Sequence, residues 1–332
     1  MGMLVDGVWT TDELGPDFKG RDGRFRRSES VFRNWVTRDG APGPGGAGDF
    51  AAEADRYHLY VAITCPWAHR ALLVRRLKGL DDAIGLSVVA PRRTDQGWVF
   101  DAGDARHRDS VDGAAALHEL YTRADARYTG RVTVPVLWDK RRETIVSNES
   151  SEIIRMFNDA FTAFAHETPD LYPADMRAEI DALNERVYRT VNNGVYRAGF
   201  AATQASYEEA FDEVFATLDD LDDRLATRRY LTGERLTEAD WRLFPTLVRF
   251  DVAYYGAFKC NKRRLVDYAN LWAYVRELYQ LPGVAETVAP ETYKRGYYSI
   301  SERRNPTGIV PKGPEIDFAA PHGRERVGAG AA

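Results

Sequence analysis

Cysteine is nearly missing: 332 residues carry two, Cys65 and Cys260. Two thiols cannot build the disulfide framework of a small secreted scaffold, and the reading is a reducing, cytoplasmic setting. Long apolar runs are missing as well, and none nears the ~20 residues of a membrane span. The opening "MGMLVDGVWTTDELG" has acids and no basic region, which argues against a signal peptide. Asp6 stands where a myristoylation motif wants Ser or Thr. Positive charge has no surplus: 45 Lys and Arg face 50 Asp and Glu, for a formal charge of −5. The expected partners therefore include neither nucleic acid nor membrane, and basic runs such as Arg24–Arg27 and Lys262–Arg264 read as solvated faces. No metal-ligand spacing, G-x-G-x-x-G, P-loop or G-x-S-x-G occurs, so no metal is expected.

What is present suffices for about two domains with a sizeable core: 44% hydrophobic and 29% charged residues. Residues 1–54 are polar and Gly-rich and read as an N-terminal extension. Its "GAPGPGGAGDF" is an irregular surface loop, while Phe25, Phe32 and Trp35 suggest packing on the folded body. From 55 to 165 strands and helices mix. Tyr57, Leu59, Val61 and Ile63 alternate like a strand, Pro66 suits the first position of a helix, and "IGLSVVAP" at 84–91 reads as a buried strand. A helix is expected around Ala114–Asp125. "RVTVPVLWD" and "ETIVS" read as strands, the proline of the first being tolerable at an edge or a cis bond. "NESSEIIRMF" then opens a helix capped by Ser or Asn. Residues 170–320 are helical in period, with Ile180, Leu183, Val187 and Val191 at three- and four-residue steps, and Thr237 three before Asp240 reads as a capping box. Residues 321–332, "HGRERVGAGAA" after Pro321, read as a disordered tail. The fold class is therefore α/β plus all-α, with a thioredoxin-like N-terminal domain and an all-helical C-terminal one.

Cys65, in "YVAITCPWAHRALLVRRL", sits where a strand stops and a helix begins. Helix-start amides and the positive end of the helix dipole favour thiolate over thiol. A free cysteine titrates near ~8.5, and such positions lower that to roughly 3.5–7.5. The alternative is a small buried hydrophobe. The site is "CPWA" rather than C-x-x-C, so a mixed disulfide on Cys65 needs an external thiol to release it. Cys260, in "FKCNKRR", reads as structural.

The segments "YHLYVAITCPWAHRALLVRRLKGL", "GWVF", "RVTVPVLWDK", "TIVSNESSEIIRMFN", "NNGVYRAGFA", "LTEADWRLFPTLVRFDVAYYGAFKCN" and "NPTGIVPKGP" together resemble the glutathionyl-hydroquinone reductases, the Xi class of the glutathione transferases. The match runs in order from about 25 to 315. It implies a thiol-binding domain at 55–165, a helical substrate and dimer domain at 170–320, a homodimer, and glutathione as co-substrate. It implies Cys65 as nucleophile and Tyr196 and Tyr298 as catalytic aromatics. Trp98, Arg131, Val134 ahead of a cis-Pro135, Glu149 and Ser150 would bind glutathione, with Glu149 and Ser150 on the γ-glutamyl end. Helix capping is the structural alternative for that pair.

Three positions depart from the family pattern: Ala257, Gly296 and Ser301 stand at or near usual histidines. All three fall in the helical half, on the aromatic-substrate side. The Ala-, Arg-, Asp- and Gly-rich composition hints at a GC-rich bacterium and at another thiol such as mycothiol, whereas Glu149–Ser150 favours glutathione. A conjugating glutathione transferase and a non-catalytic binding protein are the remaining alternatives.

Overall fold

The computed structural model describes residues 2–11, 22–299, 304–325 and 327. The chain divides into two compact units, one of Met1–Gly15 with Ser28–Pro169, the other of Pro16–Arg27 with Asp170–Ala332.

The first unit is built on a four-stranded sheet of order β4-β3-β5-β6, beside a small hairpin of β1 (Met3–Val5) and β2 (Val8–Thr10). Strand β3 (Tyr57–Val61) runs into helix α1 (Pro66–Leu77), which returns the chain to β4 (Ile84–Val88) parallel to β3. Helix α2 (Leu117–Ala124) follows, then β5 (Val136–Asp139), antiparallel to β3, and β6 (Thr144–Ser147), antiparallel to β5. Helix α3 (Ser150–Asp159) packs beside α1. Strand β3 is central, so all five of its residues are buried despite their alternating polarity. That forces His58 inside. Its ring lies over Gly85, its partner across the ladder, where a Cβ would come within 2.3 Å of the imidazole Nδ1. The expected strand at 131–139 begins only at Val136. Pro135, joined to Val134 by a cis peptide, stands ahead of the ladder and withholds no N–H from it.

The stretch read as an extension is shared between the units. Residues 32–36 run along the edge of β6: the Asn34 N–H donates to the Val146 carbonyl (2.9 Å) and the Asn148 N–H to the Phe32 carbonyl (3.2 Å). This covers an edge whose free polar groups would otherwise face solvent. Val36 and Phe50 are buried there. Phe25 instead belongs to the second unit, buried at 5.3 Å from the Phe200 ring.

The second unit is helical: α4 (Arg177–Val187), α5 (Gly194–Gly199), α6 (Gln204–Leu225), α7 (Glu238–Leu247), α8 (Tyr255–Ala257), α9 (Ala269–Tyr279) and α10 (Pro290–Tyr297). Two π-helical turns interrupt the pattern, Tyr188–Asn192 after α4 and Phe250–Tyr254 after α7. The expected capping box is present, with the Thr237 N–H on the Asp240 carboxylate at 2.9 Å. The same carboxylate also accepts from the Leu231 N–H and the Tyr274 hydroxyl, which makes Asp240 a buried structural hub.

The expectation of a disordered tail from 321 fails at Arg324. Its buried guanidinium reaches the Glu277 carboxylate and the carbonyls of Leu225, Arg228 and Arg229, so it caps the open C-terminal end of α6. Of the remaining tail, residues 326 and 328–332 lie outside the described residues. Among the described residues no helix is long and apolar enough to cross a membrane, and no group of three or more His, Cys, Asp or Glu is placed to hold a metal ion.

Candidate active site: a thiol site and a phenol cluster

Cys65 is the residue that caps the start of α1, with extended backbone angles (φ −84°, ψ 121°). Its N–H donates to the Ala62 carbonyl and its carbonyl accepts from His69, both at 3.0 Å. Its side chain makes no capping hydrogen bond to this helix, and it stands at the position a cap residue takes. The thiol is half-buried and its Sγ lies 3.6 Å from the Val134 carbonyl oxygen. The sheet thus brings together two of the residues singled out from sequence, the cysteine after β3 and the valine before β5.

Glu149 and Ser150 open α3. The cap is Glu149, not the Ser or Asn expected from the motif: its carboxylate accepts from the Ser151 N–H (3.0 Å) and hydroxyl (2.8 Å). A third donor comes from far away in sequence, the Ser30 hydroxyl at 3.0 Å. Burial works against the Glu149 charge, but these donors and the Arg70 cation outweigh it and hold the carboxyl below its usual range. Ser150, the first residue of the helix, is buried. Trp98 is also buried, under the Arg93 guanidinium at 4.1 Å, and its Nε1 has no hydrogen-bond partner among the described residues. Arg131 is half-buried, and its carbonyl accepts from the Tyr128 hydroxyl.

The second unit holds a cluster of phenols. The Tyr196 hydroxyl meets that of Tyr297 at 2.6 Å, and Tyr297 meets Tyr254 at 3.1 Å. Phe25, Phe200 and Phe258 wall the Tyr196 ring, and the Arg27 guanidinium lies 4.9 Å above it. Burial raises Tyr254 and Tyr297 well above the ordinary phenol value.

Tyr298 is not in this cluster. Its hydroxyl sits against Gly256, where an added Cβ would come within 2.1 Å, and it accepts from the Ala257 N–H. Tyr254 and Tyr297 went unrecognised in the sequence, yet helical phase contained the second. Neighbours on a helix point about 100° apart, so Tyr297 and Tyr298 cannot share a face. Tyr293 and Tyr297, four apart, do. Of the three departures, Ala257 and Gly296 are half-buried and Ser301 lies outside the described residues. Cys260 is fully buried, and burial pushes its thiol up to about 12, as fits a packing residue.

A small mixed sheet with a cis-proline ahead of β5, followed by a helical unit, defines a protein of the glutathione transferase fold. Comparison with known proteins agrees. Residues 64–160 match the glutathione S-transferase N-terminal domain and 204–277 the C-terminal domain. The glutathionyl-hydroquinone reductase YqjG of Escherichia coli is 52% identical over 98% of this chain and 99% of its own. The glutathione-bound structure of YqjG superposes with a TM-score of 0.89 at 50% identity, covering 97% of this chain and 99% of that one. A Xi-class transferase from Natrialba magadii gives 0.90 at 47% identity, over 98% and 97%. The chain belongs to the glutathionyl-hydroquinone reductase family, the Xi class of the glutathione transferases.

Proposed function

We propose that this chain reduces glutathionyl-hydroquinones with glutathione as co-substrate, through Cys65. The observation that carries the reading is a half-buried cysteine in the capping position of α1 whose Sγ lies 3.6 Å from the carbonyl ahead of the cis-proline. The Cys65 thiolate attacks the glutathione sulfur of the thioether. A Cys65–glutathione disulfide forms and the carbon–sulfur bond breaks. The ring, attacked as its keto tautomer, has already taken a proton at that carbon, and the bond's electron pair restores hydroquinone. A second glutathione thiolate then attacks the glutathione sulfur of the disulfide, giving oxidised glutathione and free Cys65. The sum is one thioether and one glutathione converted to hydroquinone and glutathione disulfide. The only other thiol, Cys260, is buried and cannot resolve the intermediate, which agrees with an external second thiol.

In this reading the N-terminus of α3, with Ser150, receives the γ-glutamyl carboxylate, and Glu149 the ammonium. Val134 offers its main chain to the cysteinyl unit, and Trp98 and Arg131 flank it. The acid that protonates the ring carbon comes from the phenols. Tyr196 is retained from the sequence reading, and Tyr297 replaces Tyr298 as its partner because the hydroxyls of 196 and 297 touch. We further propose a cytoplasmic homodimer. Mass spectrometry after mixing with a glutathionyl-hydroquinone and no free glutathione tests the scheme. A gain of one glutathionyl group on Cys65 with release of hydroquinone is expected. Adduct formation only with a mycothiol conjugate would turn the reading to another thiol. An unmodified Cys65 with either would end it.

A further inference from the structure

Arg249 is fully buried, and its guanidinium stands against a phenol ring. It precedes the π-helical turn Phe250–Tyr254, and its carbonyl accepts from both the Ala253 N–H (2.9 Å) and the Tyr254 N–H (3.3 Å). Its guanidinium lies 3.8 Å from the centre of the Tyr293 ring on α10. One Nη donates to the Pro245 carbonyl at 2.7 Å, in the last turn of α7. A cation at that end of a helix complements its dipole, and a cation over a desolvated ring is attracted by the ring's negative face. These contacts offset the cost of burying the charge.

Resting on the function proposed above, we propose that Arg249 is a positioning residue for the phenol cluster: clamped on Tyr293, it fixes α10 against the π-helical turn so that Tyr297 meets Tyr254 and Tyr196. The geometry follows from the spacing. Tyr293 and Tyr297 are one turn apart on the same face of α10. Tyr254 closes the turn that Arg249 opens. One guanidinium therefore ties both helical segments whose hydroxyls stand 3.1 Å apart. Its charge also acts directly, since the fields of Arg249 and of Tyr254, Tyr297 and Tyr293 favour each other's ionised forms. A phenol that gives its proton to the ring carbon becomes an anion, and a fixed cation in the same cluster stabilises it.

The test separates a role in proton delivery from one in folding alone. Arg249→Met, Arg249→Lys and Tyr293→Leu are compared with the parent on two substrates: a glutathionyl-hydroquinone, and a glutathione mixed disulfide of a small aliphatic thiol, whose leaving group has no ring carbon to protonate. Arg249→Met is expected to lower kcat on the thioether by about ten- to a hundredfold. KM and turnover of the mixed disulfide should stay within about twofold, since the thiol chemistry is untouched. Arg249→Lys should recover part of the loss, because it keeps the charge without the flat stacking surface. Tyr293→Leu should fall between the two. Equal loss on both substrates, or no loss on the thioether, overturns the role. Should Arg249→Met fail to fold, Tyr293→Leu and Arg249→Lys decide by the same split. A parent chain that turns over the mixed disulfide but not the thioether would overturn the reductase reading, and this role with it.

Discussion

The thiol site and the phenol cluster are built from different material. In the first unit the main chain does the positioning: a helix start holds Cys65, a carbonyl beside a cis-proline meets its sulfur, and a second helix start presents Glu149 and Ser150. In the second unit side chains position one another. Tyr196, Tyr254 and Tyr297 come from three separate segments and are packed by Phe25 from a fourth and by Arg249 and Phe258, which flank Tyr254 in its own segment. A main-chain site depends on few side chains, so one substitution removes the chemistry and leaves the frame. A side-chain cluster shares its work, so single losses should be partial.

The two cysteines give the sharpest version of that contrast. Cys65→Ser should cut reductase turnover by roughly a thousandfold or more, because the covalent step has no substitute nucleophile. Cys260→Ala should leave turnover near the parent value and cost stability, on the order of 1 kcal/mol, by opening a small cavity. Iodoacetamide at neutral pH, followed by mass spectrometry, should label Cys65 and spare Cys260. Labelling of Cys260 in the folded chain would break the comparison from the other side.

Next in size come the phenols. Tyr297→Phe removes the hydroxyl shared by Tyr196 and Tyr254, and kcat on a glutathionyl-hydroquinone should fall by about ten- to a hundredfold. Tyr298→Phe loses only a hydroxyl that accepts from the Ala257 N–H, and should cost a few-fold at most. Equal losses at both positions would mean that the tyrosine pair acts through packing alone.

A smaller effect is expected at the start of α3. Glu149→Gln keeps a capping oxygen but loses the charge held by Ser30, Ser151 and Arg70. The affinity for the second glutathione should weaken several-fold, with a stability loss of about 1 kcal/mol from the weaker cap. Ser30→Ala removes one of the three donors and should show the same pattern at lower amplitude. A rise in KM with kcat held identifies binding, whereas parallel loss of both would point to disturbed chemistry at Cys65.

How much of this was legible follows the same division. "CPWA", "VPV" and "NESSE" are contiguous, and each encodes a local main-chain shape, so Cys65 could be singled out from residue order, and Val134, Glu149 and Ser150 from the family resemblance those short segments carry. Ser30 could not: it reaches Glu149 from 119 positions away, along a stretch read as an extension. The resemblance pointed to Tyr298, whereas the hydroxyl that meets Tyr196 is that of Tyr297, because a motif carries no helical phase. The tail was misjudged because composition dominates such a reading, while a single arginine that finds Glu277 and three carbonyls is enough to pin a segment.

The last contrast concerns acid. Five of the six histidines, His58, His69, His107, His118 and His166, fall in the first unit, and only His322 in the second. His58 is buried in β3, with its Nε2 2.8 Å from the Ser87 hydroxyl. Burial pushes its imidazole down from 6.5 to about 4, and the Asp109 charge opposes this only in part. The unfolded chain therefore takes up a proton near pH 6.5 that the folded chain refuses until about 4. The contribution is complete above pH 6.5 and shrinks as pH falls through that window, by up to about 1.4 kcal/mol per pH unit and on the order of 3 kcal/mol in all. Denaturant melts of the parent and of His58→Gln at pH 7.5, 6.0 and 5.0 measure it. The variant should be less stable at pH 7.5, because its side chain fits the space over Gly85 less well, and its stability should fall less on acidification. If both chains lose stability with the same slope, His58 is not the acid-sensitive group, and the first unit owes its response to another of its histidines, such as His118, which burial also lowers.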